Sequence, residues 1–593
     1  MTAVNLASAR VWRGAPQALV AAVVVIGAAF VLPAEGYYLN VLMQAATYAI
    51  AVSGLVVVLG YCGQISIAQA AFFGIGAYGV AIGTVDLGLG FFPSLLMGVV
   101  VAGLLGLILG LGSLRLGGHY LAMVTISFQQ IMTLFATNWI GLTHGPDGIR
   151  DIPRPTLLGV SFANGHAFLA LCLVCLVAAT LAIWRLKTGR LGRAMQAVRD
   201  NELAAGTCGI DVFSTKVIAF GLSAVMGGIG GGLFAGGFQY ISPDQFTFGE
   251  SIVLLTMALL GGVQSPFGSL VGTLLLVILP EWLRFLKQVY LAVYGAAVIL
   301  IMVFLPDGLW GLMLARVIRR SKPIEGSVAP LPLLAERGTE TPGVKAGEIV
   351  LKVDGLAKHF GGVKALDGID LAVRRGSVHA LIGPNGSGKS TFVNVVTGLY
   401  RPTAGTVTFA GADITHAKPH LRNRAGLART FQNIRVFRGM SVLENVMVGA
   451  ERPGNDIAEH PALVVDRALA ALDFVGLRSD AHRQVGALSY GHQRYVEIAR
   501  ALAASPQTLL LDEQAAGLNL TEKQELGALL RRLKGHGMTI LIIDHDMNLV
   551  EQVADHITVL NFGRRIADGL PSEVLANPDV IAAYLGEPRR EAA

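Results

Sequence analysis

The sequence predicts an α-helical membrane domain followed by a soluble α/β domain in one chain of 593 residues. Charge is the first indication: residues 1–320 hold 16 Lys/Arg and 11 Asp/Glu, whereas the remaining residues hold 30 and 29. The second is a glycine-rich loop that follows a short apolar run at 378–382 and leads into a helical pattern. We therefore place the membrane domain at 1–320, a Pro- and Gly-containing flexible linker at 321–347 and the soluble domain at 348–593.

Apolar runs in the first half predict about nine or ten membrane spans, because a bilayer core requires about 20 apolar residues per helix. The runs lie at roughly 17–34, 40–60, 64–84, 91–112, 118–139, 165–184, 215–237, 250–263, 267–285 and 289–306. The eighth run is short enough to be re-entrant. The first, which follows Arg10 and Arg13, could be a signal peptide. No clean small-residue cleavage site follows it, so we interpret it as a retained first helix.

Basic residues between the apolar runs predict the orientation. The loop at 185–216 carries six Lys or Arg residues, and Arg316, Arg319, Arg320 and Lys322 follow the last run. Both segments are expected in the cytoplasm by the positive-inside tendency. The net charge of +6 comes almost entirely from the first half, and its basic residues cluster in loops between apolar runs. This pattern favours membrane orientation, with membrane lipid as a partner, and not nucleic acid binding. All four cysteines lie in the membrane half, and the Cys172–Cys175 pair sits in an apolar run that favours packing over redox or zinc chemistry.

The glycine-rich loop matches the pattern G-x-x-x-x-G-K-S, which predicts a phosphate cradle at a helix N-terminus. The predicted nucleotide-binding residues are Gly383, Pro384, Asn385, Gly386, Ser387, Gly388, Lys389, Ser390 and Thr391. Lys389 is expected to neutralise the β- and γ-phosphates, and Ser390 to offer its hydroxyl to Mg²⁺. ATP and Mg²⁺ are therefore the expected ligands, and so complete a match disfavours an incidental turn.

Four blocks of the membrane half resemble a permease of the branched-chain amino acid (Liv-type) ABC importers. The blocks are 60–78, 120–127, 193–202 and 259–268, and the similarity extends over nearly all of 35–310. The M-type permease is a better match than the H-type. The resemblance implies import of Leu, Ile and Val, although other members of the family carry urea, amides or aromatic and carboxylic compounds. Glu202-Leu203-Ala204-Ala205, followed by Gly209, is similar to the EAA–Gly loop of ABC importers with Leu203 as an extra residue, which implies a coupling element.

The soluble half carries two carboxylates at the end of an apolar strand, Asp512 and Glu513. Asp512 is placed to hold Mg²⁺, and Glu513 to act as general base toward the attacking water. Together with the P-loop, this pattern is similar to that of an ABC ATPase. The resemblance covers about 349–587 and is strongest to the Liv G-type subunit.

That resemblance implies roles for further residues. Phe360 corresponds to the aromatic that stacks on adenine. Gln432 corresponds to the Q-loop glutamine that touches Mg²⁺ and water, and His545 to the histidine that contacts the γ-phosphate. In the signature motif, Leu488-Ser489-Tyr490-Gly491-His492-Gln493, Ser489 and Gly491 are kept, whereas Tyr490 and His492 depart from L-S-G-G-Q. The expected catalytic set is Glu513, His545, Gln432 and Lys389, and the expected metal set is Ser390, Gln432 and Asp512.

An ABC signature serves ATP that is held by another subunit, so the resemblance implies a dimeric ATPase. The expected partners are an H-type permease and an F-type ATPase, or a second copy of the chain, together with an extracytoplasmic binding protein. The expected location is the bacterial cytoplasmic membrane, with the ATP-binding domain in the cytoplasm. Two alternatives stay open at this point: an ABC exporter, and a membrane-tethered ATPase that moves no substrate.

Overall fold

A computed structural model describes residues 36–113, 119–157, 160–283, 290–305, 308–311, 347–451 and 461–585. The first predicted span at 17–34 and almost all of the predicted linker lie outside the described residues. The described chain forms two compact units. One comprises 36–199 and 212–311, and the other comprises 347–585 together with residues 200–211.

The permease unit consists of helices joined by short turns and two-residue strands. Its helices are α1 (Tyr37–Leu55), α2 (Gln69–Ala81), α3 (Phe91–Ser113), α4 (His119–Asn138), α5 (Ile140–Thr143), α6 (Gly165–Thr188), α7 (Arg190–Asp200), α9 (Val212–Phe238), α10 (Phe248–Gly261), α11 (Pro266–Leu283) and α12 (Tyr290–Phe304). The short helix α8 (Glu202–Thr207) lies between α7 and α9 in the sequence but belongs to the other unit. Its strands are β1 (Ile149–Arg150), β2 (Thr156–Leu157), β3 (Val160–Ser161) and β4 (Tyr240–Ile241). Turns of π-helix extend α1 through Tyr61 and α2 through Asp86.

The described helices do not confirm the expected count of nine or ten spans. Five are long and apolar enough to cross a membrane: Tyr37–Tyr61, Phe91–Gly112, Tyr120–Asn138, Gly165–Thr188 and Val212–Phe238. A sixth span is possible if α10 and α11, which meet at a 120° bend, count as one. The run expected at 64–84 is helical only from Gln69 onward, and its α-helix of 13 residues continues as a π-helical turn to Asp86.

Buried side chains explain how the backbone can be interrupted within an apolar run. The N–H of Ile67 donates to Thr125 Oγ1 at 3.1 Å, and that of Ala71 donates to Gln129 Oε1 at 2.6 Å. The N–H of Ala70 donates to Ser251 Oγ at 3.1 Å. These bonds satisfy donors that an isolated helix end would leave unpaired in lipid.

Glycines along α9 allow three helices to pack closely. A Cβ at Gly231 would lie 1.7 Å from the carbonyl oxygen of Phe73 on α2, and one at Gly232 would lie 2.3 Å from Leu95 on α3. Gly228 and Gly236 also face α3. The spacing of four residues between Gly228, Gly232 and Gly236 therefore marks the α3-facing side, as small-residue patterns do in membrane helices.

The ATP-binding unit contains two sheets. Its strands are β5 (Ile349–Phe360), β6 (Val363–Arg374), β7 (Val378–Ile382), β8 (Ala404–Phe409), β9 (Ala412–Asp413), β10 (Leu427–Arg429), β11 (Thr508–Asp512), β12 (Thr539–Ile543), β13 (His556–Asn561) and β14 (Arg564–Gly569). The larger sheet has the order β10-β11-β12-β7-β13-β14, with only the β13–β14 pair antiparallel, and the smaller antiparallel sheet has the order β6-β5-β8-β9. Every residue of β7, β11 and β12 is buried, as expected for central parallel strands.

Apart from two, the helices of this unit pack on the sheets, and several helices begin at side-chain caps. The helices are α13 (Lys389–Val396), α14 (Pro419–Ala425), α15 (Val442–Ala450), α16 (Pro461–Phe474), α17 (Tyr490–Ala503), α18 (Leu520–Gly535), α19 (Met547–Val553), α20 (Pro571–Leu575) and α21 (Pro578–Leu585). The two exceptions, α15 and α16, pack with α17 in a separate apolar cluster. Ser441 and Glu444 form a capping box on α15, and Asn519 and Glu522 form one on α18. Asn519 is therefore the N-terminal cap of α18.

Candidate nucleotide-binding and hydrolysis site

The motif residues meet at one edge of the larger sheet. Strands β7, β11 and β12 are parallel, so their carboxyl ends lie together. The P-loop follows β7, Asp512 ends β11 with Glu513 next to it, and Asp544 and His545 follow β12. Open α/β sheets bind their ligands at this edge.

The P-loop has the backbone shape of a phosphate cradle. Gly386 and Gly388 adopt φ angles of +80° and +103°, which favour glycine. Lys389 Nζ donates to the carbonyl oxygens of Gly383 at 2.7 Å and Pro384 at 2.9 Å. Burial lowers the pKa of Lys389, while the nearby Glu513 and Asp512 act in the opposite direction. The Lys389 ammonium group thus binds two neutral carbonyl oxygens of the loop, which the charged oxygens of a phosphate can replace.

Asp512 is a buried carboxylate with one oxygen paired and one unpaired. Its side chain is about 3 % exposed, and Oδ2 accepts from Arg429 Nη2 at 3.0 Å. Burial raises the pKa of Asp512, and Arg429 opposes that shift. Oδ1 has no partner in the described structure. An unpaired buried carboxylate oxygen is a ligand that suits Mg²⁺, which takes few protein ligands beside phosphate oxygens and water.

Glu513 and Gln432 lie in direct contact. Gln432 Nε2 donates to Glu513 Oε2 at 2.6 Å, although 81 residues separate them in sequence. Glu513 has a φ of +48°, an uncommon angle for a residue with a Cβ. The structure thus joins the predicted general base and the predicted Q-loop residue.

Asp544 organises the segment that carries His545. Asp544 is fully buried, and its Oδ1 accepts from the backbone N–H groups of His545 at 2.8 Å and Asp546 at 3.0 Å. Its Oδ2 accepts from the N–H of Ala515 at 3.0 Å, next to the carboxylate strand end. The His545 side chain is 59 % exposed, which leaves its ring accessible to a ligand.

Phe360 and the signature residues stand apart from this cluster. Phe360 ends β5 and packs edge-on against Tyr400, with ring centroids 5.5 Å apart. Ser489 caps α17, where its Oγ accepts from the N–H of His492 at 3.3 Å. Since His492 contributes a backbone group to this bond, its departure from the usual glutamine leaves the cap intact. Within the described residues, no hydrogen bond joins Ser489 or Gly491 to the P-loop.

Sequence reasoning missed three buried residues that shape the site: Arg429, Arg494 and Asp544. Besides Asp512, Arg429 donates to Asn394 Oδ1 and Thr397 Oγ1, both at 2.8 Å. Arg494 Nη1 donates to the carbonyl oxygen of Glu513 at 3.0 Å. All three are buried charged residues close to a recognised motif, since Arg429 lies three positions before Gln432, Arg494 directly follows the signature motif and Asp544 directly precedes His545. That proximity is the one signal the sequence offered.

Residues 200–211 contact the segment that follows Gln432. Asp200 Oδ2 accepts from the N–H of Gly439 at 2.8 Å, and Asn201 Oδ1 accepts from Arg435 Nη1 at 3.2 Å. Helix α8 also packs on α14, where Arg424 Nη2 donates to the carbonyl oxygen of Gly209 at 3.4 Å. These contacts support the interpretation of the Glu202–Gly209 segment as an element that docks on the ATPase.

Two buried glutamines of the permease unit, Gln69 and Gln129, connect helices. Gln69 Nε2 donates to the carbonyl oxygens of Ala51 and Ser223, and its Oε1 accepts from Ser223 Oγ at 3.0 Å. Gln129 forms hydrogen bonds with Ala71, Ser251 and the carbonyl oxygen of Phe246.

A cavity of about 570 Å³ lies between α2, α3 and α4. None of the described residues that line it carries a charge.

Comparisons with known proteins match both halves. Residues 37–305 match the family described as the permease component of the branched-chain amino acid transport system. Residues 366–516 match the ABC transporter family, and 564–589 match the branched-chain amino acid ATP-binding cassette transporter family.

Curated relatives align with the ATP-binding half. The high-affinity branched-chain amino acid transport ATP-binding protein BraF of Pseudomonas aeruginosa is 43 % identical over 250 residues, which are 40 % of this chain and 98 % of BraF. The corresponding LivG protein of Escherichia coli K12 is 42 % identical over 252 residues, with the same coverage. A crystal structure of a nucleotide-free ATP-binding cassette from an ABC transporter is 35 % identical, with a TM-score of 0.38, and covers 40 % of this chain and 100 % of its own. The chain therefore belongs to the branched-chain amino acid ABC transporter family, and it joins a permease domain to a transport ATPase of that family.

Proposed function

We propose that this protein uses ATP hydrolysis to import branched-chain or related hydrophobic amino acids across the bacterial cytoplasmic membrane. The observation that carries the proposal is that both halves independently match components of the same transport system. The proposal places the protein in the membrane as a multi-pass subunit with its ATP-binding unit in the cytoplasm. The cluster of basic residues in the 185–216 loop supports that orientation.

In the proposed site, the P-loop amides and Lys389 hold the triphosphate of ATP, and the Phe360 ring stacks on adenine. Lys389 exchanges its contacts with the Gly383 and Pro384 carbonyl oxygens for the β- and γ-phosphates. Glu513 accepts a proton from the attacking water, and Gln432, whose Nε2 lies 2.6 Å from Glu513 Oε2, orients that water. His545 donates a hydrogen bond to the γ-phosphate.

Ser390, Asp512 and Gln432 are the residues that would hold Mg²⁺ in this site. The unpaired Oδ1 of Asp512 supports that assignment. When bound, Mg²⁺ supplies positive charge to the β- and γ-phosphates. Arg429 keeps the other oxygen of Asp512 fixed, so that the carboxylate presents Oδ1 in one orientation.

The proposed site is completed by a second ATPase. Ser489 and Gly491 lie at the N-terminus of the 14-residue helix α17, whose amides and dipole favour a phosphate. Their role is to receive the γ-phosphate of ATP held by another subunit. The partners we propose are an H-type permease and an F-type ATPase, or a second copy, with a binding protein that delivers substrate.

Replacement of Glu513 by Gln tests the hydrolytic mechanism. The variant should bind ATP with wild-type affinity while its turnover falls by roughly 10²-fold or more, because the general base is lost. ATP binding and phosphate release should be measured on the full chain in detergent. Steady turnover at the wild-type rate would remove Glu513 from the role.

Uptake into vesicles tests the transport assignment. Proteoliposomes that hold the full chain, its partner subunits and its binding protein should accumulate labelled Leu, Ile or Val only with ATP on the cytoplasmic side. The Glu513→Gln variant provides the matched control, since it should bind ATP without uptake. ATP-driven efflux would indicate an exporter. Uptake of urea or an amide without Leu would place the protein elsewhere in the family.

A further inference from the structure

The backbone of Glu513 is strained and is held in place by two hydrogen bonds. Its φ of +48° lies in the left-handed region, which is unfavourable for a residue with a Cβ. The N–H of Glu513 donates to the carbonyl oxygen of Ile543 at 2.7 Å. Its carbonyl oxygen accepts from Arg494 Nη1 at 3.0 Å. Such a conformation persists only where the surroundings fix it, so Arg494 helps to define how the Glu513 carboxylate points.

Arg494 connects this backbone to the signature motif. It lies on α17, only about 2 % exposed, one turn after Tyr490. Its Nη2 donates to Tyr490 Oη at 3.1 Å and to the carbonyl oxygen of Ala516 at 2.7 Å. The guanidinium group also lies over the Tyr490 ring, with Cζ 5.1 Å from the ring centroid. One planar side chain thus joins the signature helix, the Glu513 backbone and the segment after it.

We propose that Arg494 is a positioning residue for Glu513, and that the Tyr490–Arg494 pair links the general base to the signature helix of the same subunit. The inference rests on the proposed function, in which Glu513 acts on ATP held by its own P-loop while the signature serves ATP of the other subunit. When the ATP of the other subunit displaces α17, Arg494 transmits this movement to the Glu513 carbonyl oxygen. The pair therefore lets each ATP site sense the state of the other.

The chemistry of the link requires arginine and tyrosine together. Arg carries five N–H donors in a rigid fork, and here two of its nitrogens serve three acceptors on three segments. A lysine ammonium in the same place keeps the charge but not the planar fork. The Tyr490 hydroxyl accepts a hydrogen bond from Arg494, which the glycine found at this position in L-S-G-G-Q could not do because it has no side chain. The departure at Tyr490 and the buried Arg494 therefore form one feature.

Three variants of the full chain test the link. Tyr490→Phe removes only the hydroxyl that accepts from Arg494, and Arg494→Lys removes the fork. Tyr495→Phe is the matched control, because its hydroxyl lies on the same helix and has no hydrogen-bond partner in the described structure. ATP affinity, kcat for hydrolysis and the Hill coefficient for ATP should be measured with the partner ATPase or second copy present.

We expect unchanged ATP affinity in all three variants. Tyr490→Phe should lower kcat by roughly threefold to tenfold, as expected for the loss of one hydrogen bond. Arg494→Lys should lower kcat by on the order of 10²-fold, because a misplaced base loses that much. The Hill coefficient should fall toward 1 in both, while Tyr495→Phe should match the wild type. A merely structural role would reduce ATP affinity and kcat together.

The Glu513→Gln background separates this inference from the proposed function. If Glu513→Gln stalls hydrolysis, adding Arg494→Lys should produce little further loss, since both act on the same step. Wild-type kcat and Hill coefficient in Tyr490→Phe and Arg494→Lys would overturn the link while leaving Glu513 as the base. Sustained turnover in Glu513→Gln would overturn the proposed mechanism itself.

Discussion

At the scale of single residues, the hydrolysis site depends on buried charges that hold one another. Arg429 and Asp512 are both almost fully buried and 3.0 Å apart. Desolvation acts on both, lowering the pKa of Arg429 and raising that of Asp512. Such a pair fixes orientation more than it adds stability, because each charge loses its water.

Breaking this pair is expected to destabilise the ATP-binding unit strongly. Arg429→Met leaves the Asp512 carboxylate buried without its cation, which costs about 3–5 kcal/mol. Calorimetric melting of the full chain should show a clear drop in the transition temperature of that unit. Arg564→Met, which breaks the exposed pair with Asp367, is the control and should leave the transition unchanged. Equal melting of both variants would contradict the proposed importance of burial.

At the scale of secondary-structure elements, strands β7, β13 and β14 share a histidine cluster. His379 Nε2 and Thr558 Oγ1 are 2.8 Å apart, and Thr558 donates to Asp568 Oδ1. The His556 ring is tilted by 51° against that of His379, with centroids 5.0 Å apart, and His556 Nε2 lies 3.2 Å from the same carboxylate oxygen. Burial, and then the charge of His556, lower the pKa of His379 from 6.5 to about 4, although Asp568 opposes the shift.

This lowered pKa predicts acid sensitivity of the ATP-binding unit. Above pH 6.5, His379 is neutral in both the folded and the unfolded chain. As the pH falls from about 6.5 to about 4 the unfolded chain binds the proton first, so about 3 kcal/mol of stability is lost. In calorimetry, His379→Gln should remove this decrease in the free energy of unfolding between pH 6.5 and 4. Replacement of the exposed His416 by Gln should leave the decrease unchanged. The same slope in both variants would rule out His379 as the group responsible.

Close packing between α2 and α9 predicts that a larger residue at their contact will destabilise the permease unit. Gly231→Ala would place a Cβ 1.7 Å from the Phe73 carbonyl oxygen and force the helices apart, at a cost of about 1–3 kcal/mol. Thermal aggregation in detergent should therefore begin at a lower temperature. Gly112→Ala is the control, because nothing lies within 4 Å of its Cβ position, and helix propensity favours alanine there. Wild-type stability of Gly231→Ala would mean that α2 and α9 are not packed this closely.

At the scale of the whole molecule, one chain supplies one permease and one ATPase, whereas the proposed composite site requires two ATPases. Glu513→Gln should therefore accumulate an ATP-dependent assembly with two ATP-binding units, because the two units close on bound ATP before hydrolysis and the variant does not hydrolyse it. Mass photometry of the solubilised chain, alone and with its partner subunits, should detect that species with ATP and lose it after nucleotide removal. A species with a single ATP-binding unit that persists at saturating ATP would contradict the composite site.

The sequence by itself determined the order of the two domains, the identity of the P-loop and the family. These features are local: Gly383–Thr391 is a contiguous motif, and Asp512 and Glu513 end a run of buried residues. Hydropathy also located the long helices α1, α3, α4, α6 and α9. It did not locate the interruption at residues 62–68, because side chains from distant helices satisfy that backbone.

Only the tertiary structure decided which distant groups meet. The sheet order places β12 between β7 and β11, so that Asp544 reaches the Ala515 N–H across 29 residues. Arg429 reaches Asp512 across 83 residues, and Arg494 reaches the Glu513 backbone from another helix. These contacts depend on chain topology and packing, which no local pattern encodes. The sequence therefore predicted the reacting groups of the proposed P-loop site, and the fold decided which buried charges contact them.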